Sequence, residues 1–421
     1  MRETSTGASR PAMPVGPLTG VRVLEIGHYI AAPHCAMMLA DQGADVVKVE
    51  PLGGEPGRKA PPFNKDGDSL AFACHNRGKR SIAIDLTQSD NKAALDALLR
   101  WADIVVTNYS YGIPEKLGFG FERLTEVNPR AVMVHITGYG TKGPRRDFGA
   151  FDPSIQAMSG FSDLTGAADG PPQISQFFLA DHSAATHAAY AALCALTERD
   201  RTGKARKVEV SMLETMTSQL SYHIPTKGVL AGKPTRRSAP SPTGLPHVYQ
   251  AKDAPVLIML VTVPTWTRFC KLVGHPEWMG DGKKVPNLSE TEGLLDEVKT
   301  FINNWFAERT SREAYTALQN ADIVAGAFRS VSQLYDEEMQ DNTGLIAFVE
   351  LKPGTPPAPV PGPAFHMAER GEALPRVPRL GDNTYEILCE AGMTSEALQA
   401  LGITENPPAG SPVATAQPAP T

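Results

Sequence analysis

The chain has 421 residues, of which 42% are hydrophobic and 20% are charged, and these proportions exclude collagen-like, coiled-coil and largely disordered chains. Its net charge of −6, from 40 Lys and Arg against 46 Asp and Glu, provides no basic surface, so neither nucleic acid nor a membrane is an expected partner. The 5 cysteines are scattered without a CxxC pair, which predicts a reduced, cytoplasmic location with no disulfide framework and no structural metal. The first residues show no apolar run behind a basic segment, and no later stretch approaches the roughly 20 apolar residues that a membrane helix needs, so neither secretion nor a membrane span is expected.

The first half of the chain predicts a parallel sheet. Residues 1–16 are rich in Pro, Ser and Thr and are predicted to be a disordered tail. Short β-branched runs then alternate with helical patterns, which is typical of a doubly wound α/β domain over residues 17–225. The predicted strands are 21–26, 44–50, 81–86, 103–108 and 131–138, the predicted helices are 31–43, 90–102 and about 182–200, and a strand-to-helix passage covers 208–213.

The second half predicts a smaller α+β domain. A segment rich in Gly, Pro and charge at 226–244 is predicted to be a linker, and strand and helix patterns follow over 245–335. Residues 353–363 form a Pro-rich connector within a return segment, 336–404, whose helices are too small for a core of their own and are expected to pack on the large domain. Residues 405–421 are predicted to be a second disordered tail.

Several common cofactor motifs are missing. No GxGxxG follows the first strand and no GxxxxGK[ST] occurs, which disfavours a standard dinucleotide site and a P-loop. His182 and His187 are spaced i, i+5, so they do not share a helix face, and no metal site is expected. Arg77, Lys79 and Arg80 precede a strand and form either a solvated basic turn or a phosphate-binding site.

Two aspartates stand ahead of predicted helices. Asp181 precedes an Ala-rich helix, and Asp152 precedes Pro153. Spacing alone therefore predicts both carboxylates to be helix N-caps. Spacing does not identify either of them as a catalytic residue.

Several motifs, in order along the chain, closely resemble the class III CoA-transferase family, to which formyl-CoA transferase and carnitine CoA-transferase belong. The resemblance runs from about residue 17 to 222 and resumes at GHPEW (274–278) and RLGDNTYEILCEAGM (379–393). The segments that carry it are PLTGVRVLEIGHYIAAP, GADVVKVEP with GGEPGR, NRGKRSIAIDL, ADIVVTNYSYGIPEKLGFGFERLTEVNPRAVMVHITGYG, SGFSDLTGAADGPPQISQFFLADHSA and TGKARKVEVSML.

The resemblance implies transfer of coenzyme A from an acyl-CoA thioester to a free carboxylic acid. The family's nucleophilic aspartate corresponds to Asp181, on which a mixed anhydride and an aspartyl-CoA thioester would form. Asp152, where formyl-CoA transferase has a glutamate, is expected in a secondary polar role. No metal and no cofactor beyond CoA is implied, and the expected assembly is an interlocked homodimer with a Rossmann-like CoA-binding domain. The CoA contacts implied by the family are Tyr29, Ile30, Ala31, Arg58, Ile84, Asn108, Tyr109, Lys116 and Phe151.

The expected chemistry makes demands on the site. Burial raises the pKa of a carboxylate, so hydrogen bonds from helix N-terminal N–H groups to Asp181 are expected to offset this. Backbone N–H groups near Tyr29–Ala31 are the expected oxyanion hole. Ile30 replaces a glutamine of formyl-CoA transferase, and only Gly244 stands where that enzyme has a glycine-rich lid, so formate and oxalate are less expected than other small or medium mono- or dicarboxylic acids.

Two alternatives stay open. A 2-methylacyl-CoA racemase-like isomerase would use Asp152, although Phe151 stands where racemases have the histidine of a His-Asp step, so a two-base proton exchange lacks one base. The other alternative is a non-catalytic CoA-binding protein in which Asp181 is only a helix cap.

Overall fold

The computed structural model describes residues 15–167, 169–229, 246–279, 294–365, 367 and 375–405. The chain divides into two compact units, one formed by Met1–Arg237 with Gly344–Thr421 and the other by Ser238–Thr343. Three predicted segments lie mostly outside the described residues: the tail 1–16 except its last two residues, the linker 226–244 except its first four, and the tail 405–421 except its first residue. Gly244 lies outside them as well.

The first unit is built on a six-stranded, wholly parallel sheet, which confirms the predicted α/β class. Its strands follow the order β3-β2-β1-β4-β5-β6. Both faces of the sheet are covered, which explains why its strands read as nearly continuous apolar runs. The strands are β1 (Arg22–Ile26), β2 (Asp45–Glu50), β3 (Arg80–Ala83), β4 (Ile104–Thr107), β5 (Val132–Thr137) and β6 (Arg206–Ser211).

Ten helices of the described residues belong to the chain up to residue 229. They are α1 (Ala31–Ala40), α2 (Leu70–Asn76), α3 (Lys92–Trp101), α4 (Ile113–Lys116), α5 (Phe121–Val127), α6 (Asp152–Met158), α7 (Phe161–Leu164), α8 (Leu179–Thr202), α9 (Met212–Ser218) and α10 (His223–Val229). Helices α1 and α8 cover one face of the sheet, where the alanines of α8 let it approach the strands closely. Helices α3 and α5 cover the other face.

The second unit is a small α+β body. Its antiparallel strands are β7 (Pro246–Gln250), β8 (Pro255–Met259) and β9 (Ala325–Ala327), and its helices are α11 (Val263–Val273), α12 (Leu294–Ala307), α13 (Ser311–Asn320) and α14 (Val331–Asp341). Buried Trp266, Phe269 and Phe306 form its core. The predicted boundary at 335 falls inside α14, and the unit runs to Thr343.

The return segment adds a hairpin and two helices to the first unit. These elements are β10 (Ile346–Val349), β11 (Ala358–Pro361), α15 (Thr384–Glu390) and α16 (Ser395–Ala400). The Pro-rich connector predicted at 353–363 therefore contains a strand, whose alternate residues Ala358 and Val360 are buried against Phe72. Ile387 and Leu398 enter the core on the α3 side of the sheet. None of the helices in the described residues is both long enough and apolar enough to cross a bilayer.

The strand order creates a crevice at one edge of the sheet. Strands β1 and β4 are neighbours, and the chain runs outward from them in opposite directions across the sheet. In open parallel sheets, ligands bind at the carboxyl ends of such strands. The loops after β1, β4 and β5, together with the start of α8, are therefore the elements that can form a site.

Candidate active site

The loop after β1 is fixed to the loop after β4 by one side chain. The Asn108 amide Nδ2 donates to the carbonyl oxygen of His28 at 2.9 Å, and its Oδ1 accepts from the His28 N–H at 3.0 Å. Glycine is required at position 27 because a Cβ there would lie 2.7 Å from both Ala32 Cβ and Asn108 Oδ1. The Asn108 side chain thus joins the two loops at the crevice.

A buried network of ion pairs holds the loop after β1. Glu25 on β1 contacts Lys48 Nζ at 2.6 Å and Lys79 Nζ at 2.7 Å, and all three side chains are fully buried. Burial by itself would raise the pKa of Glu25, but the two ammonium groups hold that pKa below its ordinary value. Burial lowers the pKa of Lys79 to about 8 although Glu25 opposes this. Lys48 also donates to the carbonyl oxygen of Gly27 at 3.3 Å.

Glu55 fixes the strained residue of the loop. Tyr29 has a φ of 60°, a left-handed conformation that non-glycine residues rarely adopt. Its N–H donates to Glu55 Oε2 at 3.1 Å, and the other Glu55 oxygen lies 3.4 Å from Lys48 Nζ. The ion-pair network therefore holds Tyr29 in its strained conformation.

Asp152 contacts the start of α8, at Ala180 and Asp181, although it lies 28 residues before Ala180 in the sequence. Asp152 is the first residue of α6 and is 2% exposed. Its Oδ2 accepts the N–H groups of Ala180 at 2.6 Å and of Asp181 at 3.0 Å, and its Oδ1 accepts from Gln156 Nε2. Asp152 therefore caps the N-terminus of α8.

The prediction that Asp181 and Asp152 are N-caps of their own helices was wrong. Phe178 is the N-cap of α8, and Asp181 is the third residue of that helix. Phe151 is the N-cap of α6. The helix α8 begins earlier than its sequence suggests because a carboxylate from another element satisfies its first N–H groups.

Asp181 has an unusual protonation equilibrium. Burial, together with the nearby Asp152 carboxylate, raises the pKa of Asp181 from 3.8 to about 7. The expected compensation from helix N–H groups is not found, since those groups donate to Asp152. Within the part of the chain that the structure describes, no hydrogen bond reaches the Asp181 carboxylate. Its ionised form is poorly solvated, which favours nucleophilic reactivity.

The expected oxyanion donors are partly available. The Tyr29 N–H is occupied by Glu55, so this member of the predicted set cannot donate to a ligand. Ile30 is the N-cap of α1, and among the described residues the N–H groups of Ile30 and Ala31 have no hydrogen-bond partner. Two adjacent N–H groups at the start of a ten-residue helix can donate hydrogen bonds to an anionic oxygen.

Other predicted CoA contacts are spread along the same edge of the sheet. Phe151 is 70% exposed, its ring centroid lies 6.2 Å from that of Tyr29, and it directly precedes Asp152. The Tyr109 ring lies 5.2 Å from the His28 ring. Ile84 follows β3 but its side chain is in the core, and Lys116, at the end of α4, is exposed. The structure gives neither of the last two residues a contact with Asp181.

Arg58 is engaged in an ion pair. Its guanidinium contacts both carboxylate oxygens of Glu50, at 2.6 and 2.7 Å, and it lies over the Phe72 ring. Arg58 also lines a cavity of about 330 Å³ together with Lys352 and Arg379. Asp68 lines the same cavity and pairs with Lys352 at 3.0 Å, so its walls carry charges of both signs.

The basic segment before β3 is neither solvated nor a free phosphate site. Arg77 pairs with Asp41 at 2.5 Å, and Lys79 pairs with Glu25. Arg80 contacts Asp45 at 2.7 Å, Glu390 at 2.9 Å and Glu386 at 3.1 Å. All three cations are buried, and Arg80 links the return segment to the sheet.

A histidine cluster beside Asp181 was not predicted. His34 on α1, His75 on α2 and His182 on α8 each place one ring nitrogen within 4.8 Å of the others. Burial, with a further contribution from His182, lowers the pKa of His34 to about 3, and burial also lowers the pKa of His75 well below its ordinary value. The three histidines lie on separate helices, so no local motif indicates them.

The geometry fits nucleophilic acyl transfer. Asp181 offers a desolvated carboxylate, and the start of α1, which belongs to the helix that packs against α8, offers unpaired N–H donors. Both groups lie at the carboxyl edge of the sheet, where a ligand is expected. A carboxylate nucleophile and an oxyanion site are the two elements that acyl transfer needs.

Comparisons with known sequences agree with this chemistry. Residues 18–384 match the sequence profile of the family described as CoA-transferase family III. The chain is 30% identical to the succinyl-CoA:mesaconate CoA-transferase of Haloarcula hispanica, over 90% of this chain and 97% of that protein. It is 30% identical to the succinate–glutarate CoA-transferase of Agrobacterium fabrum, over 89% and 95% of the two chains. It is 28% identical to the formyl-CoA:oxalate CoA-transferase of Bradyrhizobium diazoefficiens, over 88% and 92%.

Solved structures have the same fold. A hypothetical protein, Rv3272, of Mycobacterium tuberculosis superposes with a TM-score of 0.75 at 27% identity and covers 89% of this chain and 99% of its own. A CaiB/BaiF family protein of Brucella suis superposes with a TM-score of 0.72 at 25% identity, over 90% and 100% of the two chains.

Proposed function

This chain belongs to CoA-transferase family III, and from that premise we propose that it transfers coenzyme A between acyl-CoA and free carboxylic acids through covalent intermediates on Asp181. The observation that carries the proposal is the position of Asp181 on the first turn of α8, partly buried and beside the capping carboxylate of Asp152.

The first half-reaction removes CoA from the donor. The Asp181 carboxylate attacks the thioester carbonyl, and cleavage of the C–S bond releases CoA thiolate and leaves a mixed anhydride. The thiolate then attacks the aspartyl carbonyl, so the donor leaves as a free carboxylate and Asp181 carries CoA as a thioester. Neither step needs a redox change.

The second half-reaction runs the same steps in reverse. The acceptor carboxylate attacks the aspartyl thioester and forms a new mixed anhydride with release of CoA thiolate. Attack of this thiolate on the acceptor's acyl carbonyl gives the new acyl-CoA and restores the Asp181 carboxylate. Each tetrahedral intermediate carries an oxyanion, for which we propose the N–H groups of Ile30 and Ala31.

Asp152 acts in this scheme as a positioning residue. It fixes the first turn of α8 through two N–H groups, and its negative charge keeps Asp181 from ionising too readily. A carboxylate that is costly to ionise is a stronger nucleophile once it is ionised. The anhydride and the thioester of Asp181 are neutral, so their formation removes the repulsion between the Asp181 and Asp152 carboxylates. The covalent intermediates are therefore favoured relative to the free enzyme.

We propose that CoA lies along the carboxyl edge of the sheet. Tyr29, Phe151 and Tyr109 provide exposed or half-buried aromatic surface there. Arg58, Lys352 and Arg379, which line the cavity together with Asp68, provide N–H donors for phosphate groups. For the acids, we propose small or medium mono- or dicarboxylates, since the relatives named above act on succinyl-CoA, mesaconate, glutarate and oxalate.

We also propose a homodimer of the interlocked type. Phe177 and Phe178, just ahead of α8, are 62% and 47% exposed, and Tyr190 on α8 is 70% exposed. Large apolar side chains left exposed on a fold indicate a covering partner. Light scattering should give roughly twice the chain mass of 45.1 kDa. A mass equal to that of one chain would contradict the dimer.

Intact-protein mass spectrometry tests the covalent mechanism. Wild type, Asp181→Asn and the exposed control Asp90→Asn are incubated with a panel of acyl-CoAs and then with hydroxylamine. We expect a hydroxamate on the peptide that contains Asp181 in wild type and Asp90→Asn, and none in Asp181→Asn. CoA exchange that persists in Asp181→Asn would refute the proposal.

The same samples distinguish the alternatives. Incorporation of deuterium from solvent at the α-carbon of a 2-methylacyl-CoA, without any adduct, would identify a racemase-like isomerase. Tight CoA binding with neither adduct nor isotope exchange would identify a non-catalytic CoA-binding protein.

A further inference from the structure

Three imidazoles converge beside Asp181, and the proposed mechanism of CoA transfer assigns them no role. His34 Nδ1 lies 3.3 Å from His75 Nδ1, and the His182 ring centroid lies 4.7 Å from that of His34 and 5.4 Å from that of His75. One nitrogen from each ring lies within 4.8 Å of the other two. The rings come from α1, α2 and α8, which pack together in the same unit.

We infer that His34, His75 and His182 form a binding site for a divalent transition-metal ion, with Zn²⁺ as the best-fitting ion. Two nitrogens bound to one tetrahedral zinc ion at about 2.0–2.1 Å lie roughly 3.3 Å apart, which is the spacing of the His34 and His75 nitrogens. The His182 nitrogen lies within 4.8 Å of both, and metal binding would draw it to the same separation.

The lone pairs of the three rings have the required arrangement. The His182 Nδ1–H donates to the carbonyl oxygen of Phe178 at 2.7 Å, which leaves the lone pair of Nε2 available. Histidine ligands of zinc typically have such a carbonyl partner on the other ring nitrogen. The Nδ1 atoms of His34 and His75 face each other, so at most one of them carries a hydrogen. When both neutral rings carry their hydrogen on Nε2, both Nδ1 lone pairs can bind the metal, and neither ring has to lose a proton.

The charges around the cluster permit a cation. The nearest cations, Arg77 and Lys79, are each paired with a buried carboxylate, Asp41 and Glu25. Imidazole nitrogens are ligands that zinc prefers, and three of them leave a fourth position for water or an anion. The bound ion would tie the first turns of α1 and α8 to α2, next to Asp181. The inference rests on the imidazole geometry and holds whether or not Asp181 forms a covalent intermediate.

Metal titration of the full chain tests the inference. Protein freed of metal by chelator dialysis is titrated with ZnCl₂ by calorimetry in the absence of substrates, for wild type, His34→Gln, His75→Gln and the control His187→Gln. His187 lies on the same helix, is exposed, and likewise donates through Nδ1 to a backbone carbonyl, that of Ser183. We expect one Zn²⁺ per chain in wild type and His187→Gln, and binding at least tenfold weaker in the other two variants.

A spectroscopic measurement on wild type keeps the test independent of variant folding. Co²⁺ bound to three imidazoles gives the ligand-field bands of a four-coordinate ion, whereas binding to Cys35 or Cys74 would add a thiolate charge-transfer band. The absence of zinc binding by wild type, equal affinity of His34→Gln and wild type, or a thiolate band with Co²⁺ would each overturn the inference.

Discussion

Replacing Asp181 by Asn should stabilise the folded protein at neutral and alkaline pH while abolishing CoA transfer. The folded state raises the pKa of Asp181 from 3.8 to about 7, so the folded chain binds this proton more tightly than the unfolded chain does. The stability that comes from the proton is fully present below about pH 4 and is lost as the pH rises through about 7. Asn carries no such charge, so the variant does not lose this stability.

The size of the effect follows from the same shift. At about 1.36 kcal/mol for each pKa unit, the cost of ionising Asp181 in the folded state exceeds about 4 kcal/mol above pH 7. Because the side chain is only partly buried, solvent screening reduces this, and we expect roughly 1–3 kcal/mol at pH 8.

Urea unfolding between pH 4 and 8, in the presence of a chelator, measures the effect. The difference in free energy of unfolding between Asp181→Asn and wild type should grow with pH up to about 7 and then stay constant. The exposed control Asp90→Asn should follow wild type at every pH. Parallel curves for Asp181→Asn and wild type would refute the argument that burial and Asp152 disfavour the ionised nucleophile.

Three further substitutions test the surroundings of the site. Asp152→Asn removes the like charge beside Asp181, so the acid limb of the kcat/KM profile should move to lower pH by roughly one unit, and an unmoved limb would contradict the coupling. Glu55→Gln removes the buried charge that holds the loop after β1, and urea unfolding should show a loss of about 2–4 kcal/mol, whereas a loss below about 0.5 kcal/mol would show that the ion pair is dispensable. Arg58→Met leaves the buried Glu50 carboxylate without its guanidinium partner, which should lower the free energy of unfolding by about 3 kcal/mol. The same substitution should raise KM for acyl-CoA roughly tenfold. An unchanged KM would show that Arg58 forms the ion pair with Glu50 but does not bind acyl-CoA.

The sheet could be predicted because its signal is local. The strand predicted at 44–50 is observed as Asp45–Glu50, and the one at 103–108 as Ile104–Thr107. Buried parallel strands consist of consecutive β-branched residues, and the helices between them force the parallel order. The hairpin at 346–361 was missed because its second strand, Ala358–Pro361, contains two prolines, which usually mark a connector.

The capping of α8 could not be predicted from local sequence. In the sequence, Asp181 lies near the helix start, where a carboxylate usually accepts the first free N–H groups. In the folded chain, Asp152 accepts those bonds from a position 28 residues before Ala180. Only the tertiary arrangement of α6 and α8 brings the two carboxylates together.

The buried charges left a signal that could have been used. Glu25 and Lys48 each interrupt a run of apolar, largely β-branched residues, VLEI and VVKV, in strands that are otherwise buried. Charged residues are rarely buried unless paired, so two opposite charges in neighbouring predicted strands indicate an ion pair. The histidine cluster left no comparable signal, since its members come from three helices that the sequence does not place side by side.

The candidate site contains two energetically unfavourable features, and buried carboxylates hold the main chain at both of them. Tyr29 is held with a left-handed backbone, and Asp181 is held where its ionised form is costly. The compensation comes from buried groups directly behind them, since Glu55 holds the Tyr29 N–H and Asp152 holds that of Asp181. Both supports are carboxylates that accept backbone N–H groups, so they fix the main chain and leave the reactive side chain free. Substitutions of the supports should therefore impair catalysis by displacing the backbone, whereas substitutions of Asp181 should relieve strain and remove the chemistry.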